Sequence, residues 1–186
     1  MSDTIITGDY YAETAYTFRD SGYTYDQYDC AAFTNLVRTT CGLRSISRGT
    51  NTMWRSRDLW WKGTIDECNA RWGAIPKGAL IFRCHPETDP DYNIPPSSPY
   101  YMDGIGDFSH VGIRTYLGQG VMQSGGYGGT GVHQSGYRAD YWTHVGLPIN
   151  ISYDGFYPVD PLPPKYFITI IANQRKELLK NAKRWT

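Results

Sequence analysis

The chain lacks any long apolar stretch, and its positive and negative charges are balanced. No segment of the 186 residues approaches the roughly 20 consecutive apolar residues that a membrane-spanning helix needs, so we expect no membrane insertion. Lysine and arginine together number 18, as do aspartate and glutamate, so net charge gives no reason to expect nucleic acid as a partner. The opening Met1-Ser2-Asp3-Thr4 has neither the basic region nor the apolar core of a signal peptide, which predicts synthesis in the cytoplasm without one.

The sequence is also poor in paired cysteines. Its four cysteines, Cys30, Cys41, Cys68 and Cys84, lie far apart and form no CxxC pair. This spacing favours neither a zinc site nor a dense disulfide framework, and we expect no metal. At least one of the cysteines is therefore a candidate for chemistry. The length allows one substantial core, so we expect a single domain over residues 1–186.

Aromatic residues and glycine are abundant, with 16 Tyr, 6 Trp and 20 Gly. This composition fits a compact α+β fold with many turns and an amphipathic groove better than a helical bundle. The expected elements are loop with a possible short helix over 4–28, a helix from Asp29 to Gly42, a short helix over 53–61, a buried strand over 79–82, a long loop over 85–107 bordering a cleft, strands over 110–116, 120–123 and 131–134, and, within 160–186, a strand over 166–171 and a basic helix over 173–185.

Cys30 is predicted to lie in the first turn of a helix that begins after Asp29. A thiol is nucleophilic as its thiolate, and a helix N-terminus lowers the pKa of a thiol because unpaired N–H groups favour the anion. A nucleophilic cysteine also needs a histidine to accept its proton and a third polar group to orient that histidine. The sequence offers four histidines for this task, at positions 85, 110, 133 and 144.

His110 has the strongest context among them. It stands at the start of the apolar strand Ser109-His110-Val111-Gly112-Ile113, where strand alternation sends its side chain to one defined face. The next predicted strand is Val121-Met122-Gln123-Ser124, and a hairpin between the two would bring Gln123 beside His110. Gln123 can then orient the imidazole by accepting a hydrogen bond from its N–H.

These segments resemble the NlpC/P60 peptidases over roughly residues 10–150. The chain carries Asp29-Cys30-Ala31, then Pro76 to Phe82, then Ser109 to Ile113, then Val121 to Ser124, in the order of the family's Asp-Cys-Ser, Pro-Gly-Asp-Leu-Val-Phe, His-Val-Gly-Ile-Tyr and final polar-residue motifs. It departs in Ala31 for Ser, in Lys77-Gly78-Ala79 for Pro-Gly-Asp, and in Gln123 where His is commoner.

The resemblance implies a papain-like fold in which the nucleophile helix packs on a central antiparallel β-sheet. It implies a cysteine peptidase that needs no cofactor and hydrolyses amide bonds in the stem peptides of bacterial peptidoglycan, such as D-γ-glutamyl-diamino acid bonds, through a thioester. The catalytic residues would be Cys30, His110 and Gln123. A wall enzyme made without a signal peptide suggests a phage or prophage endolysin that reaches the wall through a holin. A phage-particle protein or a secreted effector toxin would also fit.

Five residues are candidates for substrate binding. The family's upstream tyrosine could be Tyr16, Tyr23, Tyr25 or Tyr28, of which Tyr16 has the best spacing. Asp29 and Ser109 flank the catalytic pair, His133 could bind a substrate carboxylate at the cleft, and Trp54 could form a groove wall or belong to the core. The candidates are therefore Tyr16, Asp29, Ser109, His133 and Trp54.

Two other functions remain open at the level of sequence. An N-acetylmuramoyl-L-alanine amidase could use the same thiol and histidine. A non-catalytic wall-binding or structural module could keep the fold without the reaction, although such a module has no reason to hold Cys30, His110 and Gln123 together.

Overall fold

A computed structural model describes residues 4–115 and 120–153 of the chain. All of these residues fall within one compact unit. The helices are α1 (Gly8–Thr17), α2 (Cys30–Thr40), α3 (Thr50–Arg55) and α4 (Ile65–Trp72), and the strands are β1 (Ile6–Thr7), β2 (Leu59–Thr64), β3 (Leu80–His85), β4 (Asp107–Arg114), β5 (Gly120–Ser124), β6 (Val132–Gly136), β7 (His144–Pro148) and β8 (Ile151–Ser152).

Six of the strands form one antiparallel sheet in the order β2-β7-β3-β4-β5-β6. Helix α2 contacts β4 and β5, and α3 contacts β4, so the core lies between these helices and the centre of the sheet. Strands β1 and β8 form a separate two-stranded parallel sheet. The architecture is α+β, as the composition predicts, with the helix that carries Cys30 on the central strands.

Helix α2 begins at Cys30 because Asp29 caps it. The Asp29 carboxylate accepts a hydrogen bond from the Ala32 N–H at 2.7 Å, which satisfies one of the free donors of the first turn. Phe33 and Val37, four residues apart, are fully buried, and burial of each such side chain stabilises the fold by roughly 1.5–3 kcal/mol. Gly42 follows the helix with φ 75°, a conformation that favours glycine. This helix confirms its prediction from the sequence.

The predicted short helix over 53–61 is wrong in its second half. Helix α3 ends at Arg55, and Leu59 begins β2, which pairs along its length with β7. Three of its residues, Leu59, Trp60 and Trp61, have side chains common in strands, and sheet pairing overrides the helical reading. Strand β7 itself was not predicted, because Gly146 and Pro148 make its five residues look like a turn. It lies inside the sheet, between β2 and β3.

Two helices were predicted only in part or not at all. Helix α1 occupies ten residues of the N-terminal segment that was expected to be mostly loop, and it buries Tyr11, Ala12 and Ala15. Helix α4 was not predicted. Its start carries a capping box in which the Thr64 hydroxyl accepts from the Glu67 N–H and the Glu67 carboxylate accepts from the Thr64 N–H. The Thr-x-x-Glu spacing is a signal that could have revealed it.

The segment between β3 and β4 lacks helix or strand but is tied to the body of the protein. The Arg55 guanidinium forms a bidentate pair with Asp103, with Nε and Nη2 at 2.7 and 2.8 Å from its carboxylate oxygens, and also donates to the Gly106 carbonyl at 2.9 Å. The Asn51 side chain donates to Asp107 and accepts from the Phe108 N–H. These bonds hold the segment over α3.

The strand and basic helix predicted within 160–186 lie outside the described residues. None of the helices in the described part of the chain has the length and apolar character that crossing a bilayer requires.

Candidate functional site

A cavity of about 360 Å³ opens on the face of the sheet near the start of α2. It is lined mainly by polar and aromatic side chains from β3, β4 and the surrounding loops. The lining residues are Tyr25, Arg83, His85, Asp91, Ser109, His110, Gly126 and Tyr141. The charged and hydroxyl groups of this wall can bind a polar ligand.

Cys30 is the first residue of α2 and is 5% exposed. Burial, assisted by the Asp29 carboxylate, raises the pKa of its thiol to about 11 against the opposing effect of the backbone N–H groups of Val111, Ala31 and Cys30 itself. The N–H groups at the helix start act to lower the thiol pKa, as expected, but burial outweighs them and the net pKa is raised. Cys30 is a neutral thiol at pH 7.

His110 and Gln123 form a direct hydrogen bond in the interior. Nε2 of His110 lies 2.7 Å from Oε1 of Gln123, and both side chains are buried. The Gln123 amide nitrogen donates to the Tyr127 carbonyl at 3.0 Å and to the Ser135 hydroxyl at 2.6 Å, which directs its oxygen toward the imidazole. Nε2 of His110 must then carry the proton, because an amide oxygen can only accept. Nδ1 is left with a lone pair.

The His110 ring is held by packing as well as by Gln123. Its plane stacks on Trp142, with centroids 5.5 Å apart and planes 20° apart. On the other side, Gly126 has φ 75°, and a side chain there would meet His110 Nε2 at 2.7 Å and Gln123 Oε1 at 2.9 Å. Gly126 is therefore required both by backbone conformation and by the space that the hydrogen-bonded pair occupies.

Val111 and Tyr25 connect the thiol with the strand that carries His110. The backbone N–H of Val111, the residue after His110, acts to lower the pKa of the Cys30 thiol. Burial raises the pKa of the Tyr25 hydroxyl, the nearby Cys30 thiol raises it further, and the Tyr25 side chain lines the same cavity as His110. The thiol therefore lies where the first turn of α2 packs against β4, the strand that carries His110.

Burial lowers the pKa of His110, and nearby His133 and Arg83 lower it further, while the hydrogen bond to Gln123 opposes this change. The imidazole is accordingly neutral at pH 7. A neutral imidazole with a free lone pair is a base, and a neutral thiol is its proton donor.

Ser109 reaches the cavity because the sheet is irregular beside it. Arg83 pairs with His110 and Cys84 pairs with Phe108, so Ser109 is one extra residue in β4. Such a bulge redirects side chains, and it allows the consecutive residues Ser109 and His110 to face the same cavity. Ser109 is exposed there, as its proposed contact with substrate requires.

The other predicted binding residues have different surroundings. Asp29 is exposed and caps α2. Tyr16 pairs with Arg19 through its hydroxyl and its ring, and Tyr25 takes the place beside the thiol that the spacing assigned to Tyr16. His133 is half-buried, with its ring nitrogens 2.7 and 3.0 Å from the carbonyl oxygens of Gly131 and Tyr127, so its contacts are to backbone.

Trp54 belongs to the core. It is 7% exposed and stacks on Phe108 with centroids 4.3 Å apart and planes 15° apart. Its edge also meets Phe82 and His144. A side chain enclosed in this way cannot form the wall of a groove, so its assignment as a ligand-binding residue needs correction. Aromatic side chains are most often buried, and Trp54 follows this tendency.

Sequence reasoning missed four residues of the cavity wall, namely Arg83, Asp91, Gly126 and Tyr141, and it considered His85 only as a candidate base. Arg83 is the residue in β3 that pairs with His110 in β4. Arg83 directly follows the apolar strand predicted over 79–82, and because the observed strand continues to His85, its charged side chain marks the strand face that is not core. Tyr141 lies on a loop between β6 and β7, and nothing in its local sequence places it beside the histidine.

One group of side chains in the described residues has the spacing of a metal site, namely His85, Asp89 and Asp91. The surrounding bonds do not favour a cation there. Nε2 of His85 accepts a hydrogen bond from the Arg83 Nε–H at 3.0 Å, so Nδ1 carries the proton and faces the Asp89 carboxylate at 3.3 Å. Both nitrogens are thus engaged, and a guanidinium stands beside them.

Comparison of the sequence with protein-family models and with curated proteins gives no match in either case. The resemblance to the NlpC/P60 peptidases therefore rests on the motifs around Cys30, His110 and Gln123.

Proposed function

We propose that the protein is a cysteine peptidase that hydrolyses amide bonds in the stem peptides of bacterial peptidoglycan, with Cys30 as nucleophile and His110 as base. The observation that carries the proposal is the 2.7 Å contact between His110 Nε2 and Gln123 Oε1. It commits Nε2 as a donor and leaves Nδ1 as the proton acceptor in a site shared with the Cys30 thiol. The papain-like form of the α+β fold is part of the same proposal.

The reaction begins with both partners neutral. As the Cys30 sulfur attacks the carbonyl carbon of the scissile amide, its proton moves to Nδ1 of His110 and negative charge develops on the carbonyl oxygen. The C–N bond then breaks, Nδ1–H protonates the departing amine, and a thioester remains on Cys30. Water attacks the thioester with His110 again accepting the proton, which releases the carboxylic acid and restores the thiol.

The developing oxyanion needs donors that are already in place. The N–H groups of the first turn of α2 are free of helical partners, and that of Cys30 is adjacent to the attacking sulfur. The Tyr25 hydroxyl, whose pKa is raised in part by the nearby Cys30 thiol, is the second donor in the proposal. It takes the role that the family resemblance assigns to an upstream tyrosine.

The His110 positive charge that forms during the reaction is stabilised by Gln123. Because Gln123 is itself held by Tyr127 and Ser135, its oxygen does not need to reorient when the imidazole becomes charged. Such preorganisation is the usual source of electrostatic stabilisation in enzymes. The endolysin assignment follows from the resemblance and from the wall substrate, and it is proposed together with the reaction.

The proposal is tested by incubating the protein with purified peptidoglycan, measuring new amino groups, and identifying the fragments by mass spectrometry. Wild-type protein should cut within stem peptides, and Cys30→Ala and His110→Ala should be inactive. Cys84→Ala is a matched control, since it removes another buried thiol. Release of whole stem peptides from glycan would identify an amidase instead. Absence of cleavage by all four proteins would support a non-catalytic module. Equal cleavage by all four would show that Cys30 is not the nucleophile.

A further inference from the structure

Arg83 is a positive charge beside the proposed base. In the register of the sheet it lies directly opposite His110, and cross-strand neighbours have Cβ atoms about 4.5–5.5 Å apart. Its side chain lines the same cavity as His110 and lies close enough to contribute to lowering the imidazole pKa. A ligand group bound by Arg83 would thus lie about one residue length from the bond under attack.

The guanidinium of Arg83 is positioned by three neighbours. Its Nε–H donates to Nε2 of buried His85 at 3.0 Å, and Nδ1 of His85 faces Asp89 at 3.3 Å, so the chain Asp89–His85–Arg83 fixes one edge of the guanidinium. The plane of the guanidinium lies over the Tyr141 ring, 4.5 Å from its centroid. A buried histidine that the reaction does not use is explained by this supporting role.

Arg83 retains capacity for an anion. Its contact with the Asp91 carboxylate, through Nη2, is long at 3.5 Å, and the two side chains are 32% and 68% exposed. Arg55 makes an instructive contrast, since its bidentate contacts with Asp103 are 2.7 and 2.8 Å long and its side chain is 10% exposed. A weak, solvent-exposed ion pair of this kind contributes little to stability, so Arg83 can readily exchange Asp91 for a better-placed carboxylate.

We propose that Arg83 binds a carboxylate of the peptide substrate that lies within one residue of the scissile amide, with His85 and Tyr141 as positioning residues. The inference rests on the proposed peptidase function and names the group by which that site selects its substrate. A stem peptide offers this group on either side of the scissile bond. It can be the α-carboxylate of a γ-linked glutamate or the carboxylate of the residue that leaves.

Occupation of Arg83 by a carboxylate would also assist His110. In the free protein the Arg83 charge disfavours protonation of the imidazole. A bound carboxylate offsets that charge, so His110 accepts the Cys30 proton more readily when the correct substrate is in place. The enzyme would in this way link recognition of the carboxylate to the strength of its base.

The test measures binding to Cys30→Ala protein, which cannot turn over its ligand, by isothermal titration calorimetry with three synthetic L-alanyl-γ-D-glutamyl-L-lysine peptides. The first keeps only the glutamate α-carboxylate, the second keeps only the C-terminal carboxylate, and the third has both amidated. We expect the first or the second to bind about 10-fold or more tightly than the third, as a charge-assisted hydrogen bond predicts. The preferred peptide identifies the source of the carboxylate.

The same titrations are repeated with Arg83→Gln added, which should abolish the preference, and with Arg44→Gln added as a control. Arg44 also pairs with an aspartate at 3.5 Å but is 71% exposed, and it should leave the preference unchanged. Equal affinity for all three peptides, no measurable binding of any, or a preference that survives Arg83→Gln would overturn the inference.

The failure of this inference and the failure of the proposed function give different results. If wild-type protein cuts stem peptides but amidation of the carboxylates changes neither cleavage nor binding, the peptidase stands and the role of Arg83 is wrong. If the peptides bind with an Arg83-dependent preference and wild type cuts none of them, the carboxylate site stands and the peptidase is wrong.

Discussion

His110 and Gln123 form a buried donor–acceptor pair, with Nε2 and Oε1 2.7 Å apart, although the two residues are not direct partners in the sheet. Gln123 pairs with Gly112, two residues beyond His110, so the contact is a diagonal one that a long side chain can span. The absence of a side chain at Gly112 gives the indole of Trp142 room beside His110. The orientation of the proposed base thus depends on three residues, Gly112, Gln123 and Trp142, from three parts of the chain.

The first prediction concerns Gln123→Ala. Loss of the amide oxygen removes the bond that raises the His110 pKa, so the acidic limb of the pH profile of kcat/KM should move to lower pH. The value of kcat/KM should itself fall by about 10- to 100-fold, because the imidazole is no longer held.

Ser135→Ala is the matched control, since it removes a partner of Gln123 and keeps the His110 contact. It should change kcat/KM much less than Gln123→Ala does. A Gln123→Ala enzyme with an unchanged acidic limb would show that Gln123 has no influence on the base.

Gly126→Ala should disable the site without unfolding the protein. A methyl group there would lie 2.7 Å from His110 Nε2, so the imidazole or the glutamine must move, and kcat/KM should fall by about 100-fold. Gly22→Ala is the control, because Gly22 has a similar φ of 72° but nothing within 4 Å of the added methyl. Both variants should lose comparable stability in urea denaturation. Equal activity in the two variants would contradict the proposed site.

The thiol should behave as a neutral group in the free protein. Since burial raises the Cys30 pKa to about 11, its rate of alkylation by iodoacetamide should continue to rise above pH 9. Peptide mapping separates Cys30 from Cys68 and Cys84, whose pKa values are also raised to about 11 by burial. A rate that reaches its plateau below pH 7 would instead indicate a preformed thiolate–imidazolium pair and would refute the neutral resting state.

Trp54→Ala should destabilise the protein by about 3–5 kcal/mol, because it removes a large aromatic side chain from a packed core. The free energy of unfolding in urea measures this. Trp54→Phe should recover most of the loss while keeping an aromatic ring. If Trp54→Ala left stability intact and weakened substrate binding, the earlier reading of Trp54 as a groove wall would be restored.

Arg55→Ala should loosen the segment between β3 and β4. The bidentate pair with Asp103 is largely buried, and breaking it leaves charged groups poorly paired, which costs about 1–3 kcal/mol. Limited proteolysis should then cut within residues 86–106 faster than in wild type. Arg44→Ala, which removes an exposed pair, should leave the cleavage rate unchanged. Equal rates in all three proteins would show that the Arg55 pair does not restrain the segment.

The local features of the site could be predicted from the sequence. Asp29 as a cap and Cys30 at a helix start follow from short patterns, and the structure has both of them. His110 was expected at the start of its strand, but β4 begins three residues earlier, at Asp107. The contact between Gln123 and His110 needed only one hairpin, since β5 begins at Gly120, soon after β4 ends at Arg114. Local patterns suffice where the partners are near each other in the chain.

The parts that were missed depend on distant partners. Strand β7 lies between β2 and β3, and nothing in its own five residues indicates that position in the sheet. The burial of Trp54 arises from Phe82, Phe108 and His144, which come from three strands. The raised thiol pKa has the same origin, because burial by the whole fold outweighs the favourable helix start at Cys30.

The central claim is that Cys30 forms a covalent intermediate with His110 as its base, and trapping that intermediate tests it most directly. The protein is mixed with a soluble stem-peptide fragment, quenched in acid within one turnover, and examined by intact mass and peptide mapping. The account predicts an acyl group on Cys30 in wild type and none in His110→Ala. Cleavage of the peptide with no adduct on Cys30, or with an adduct on another residue, would contradict it.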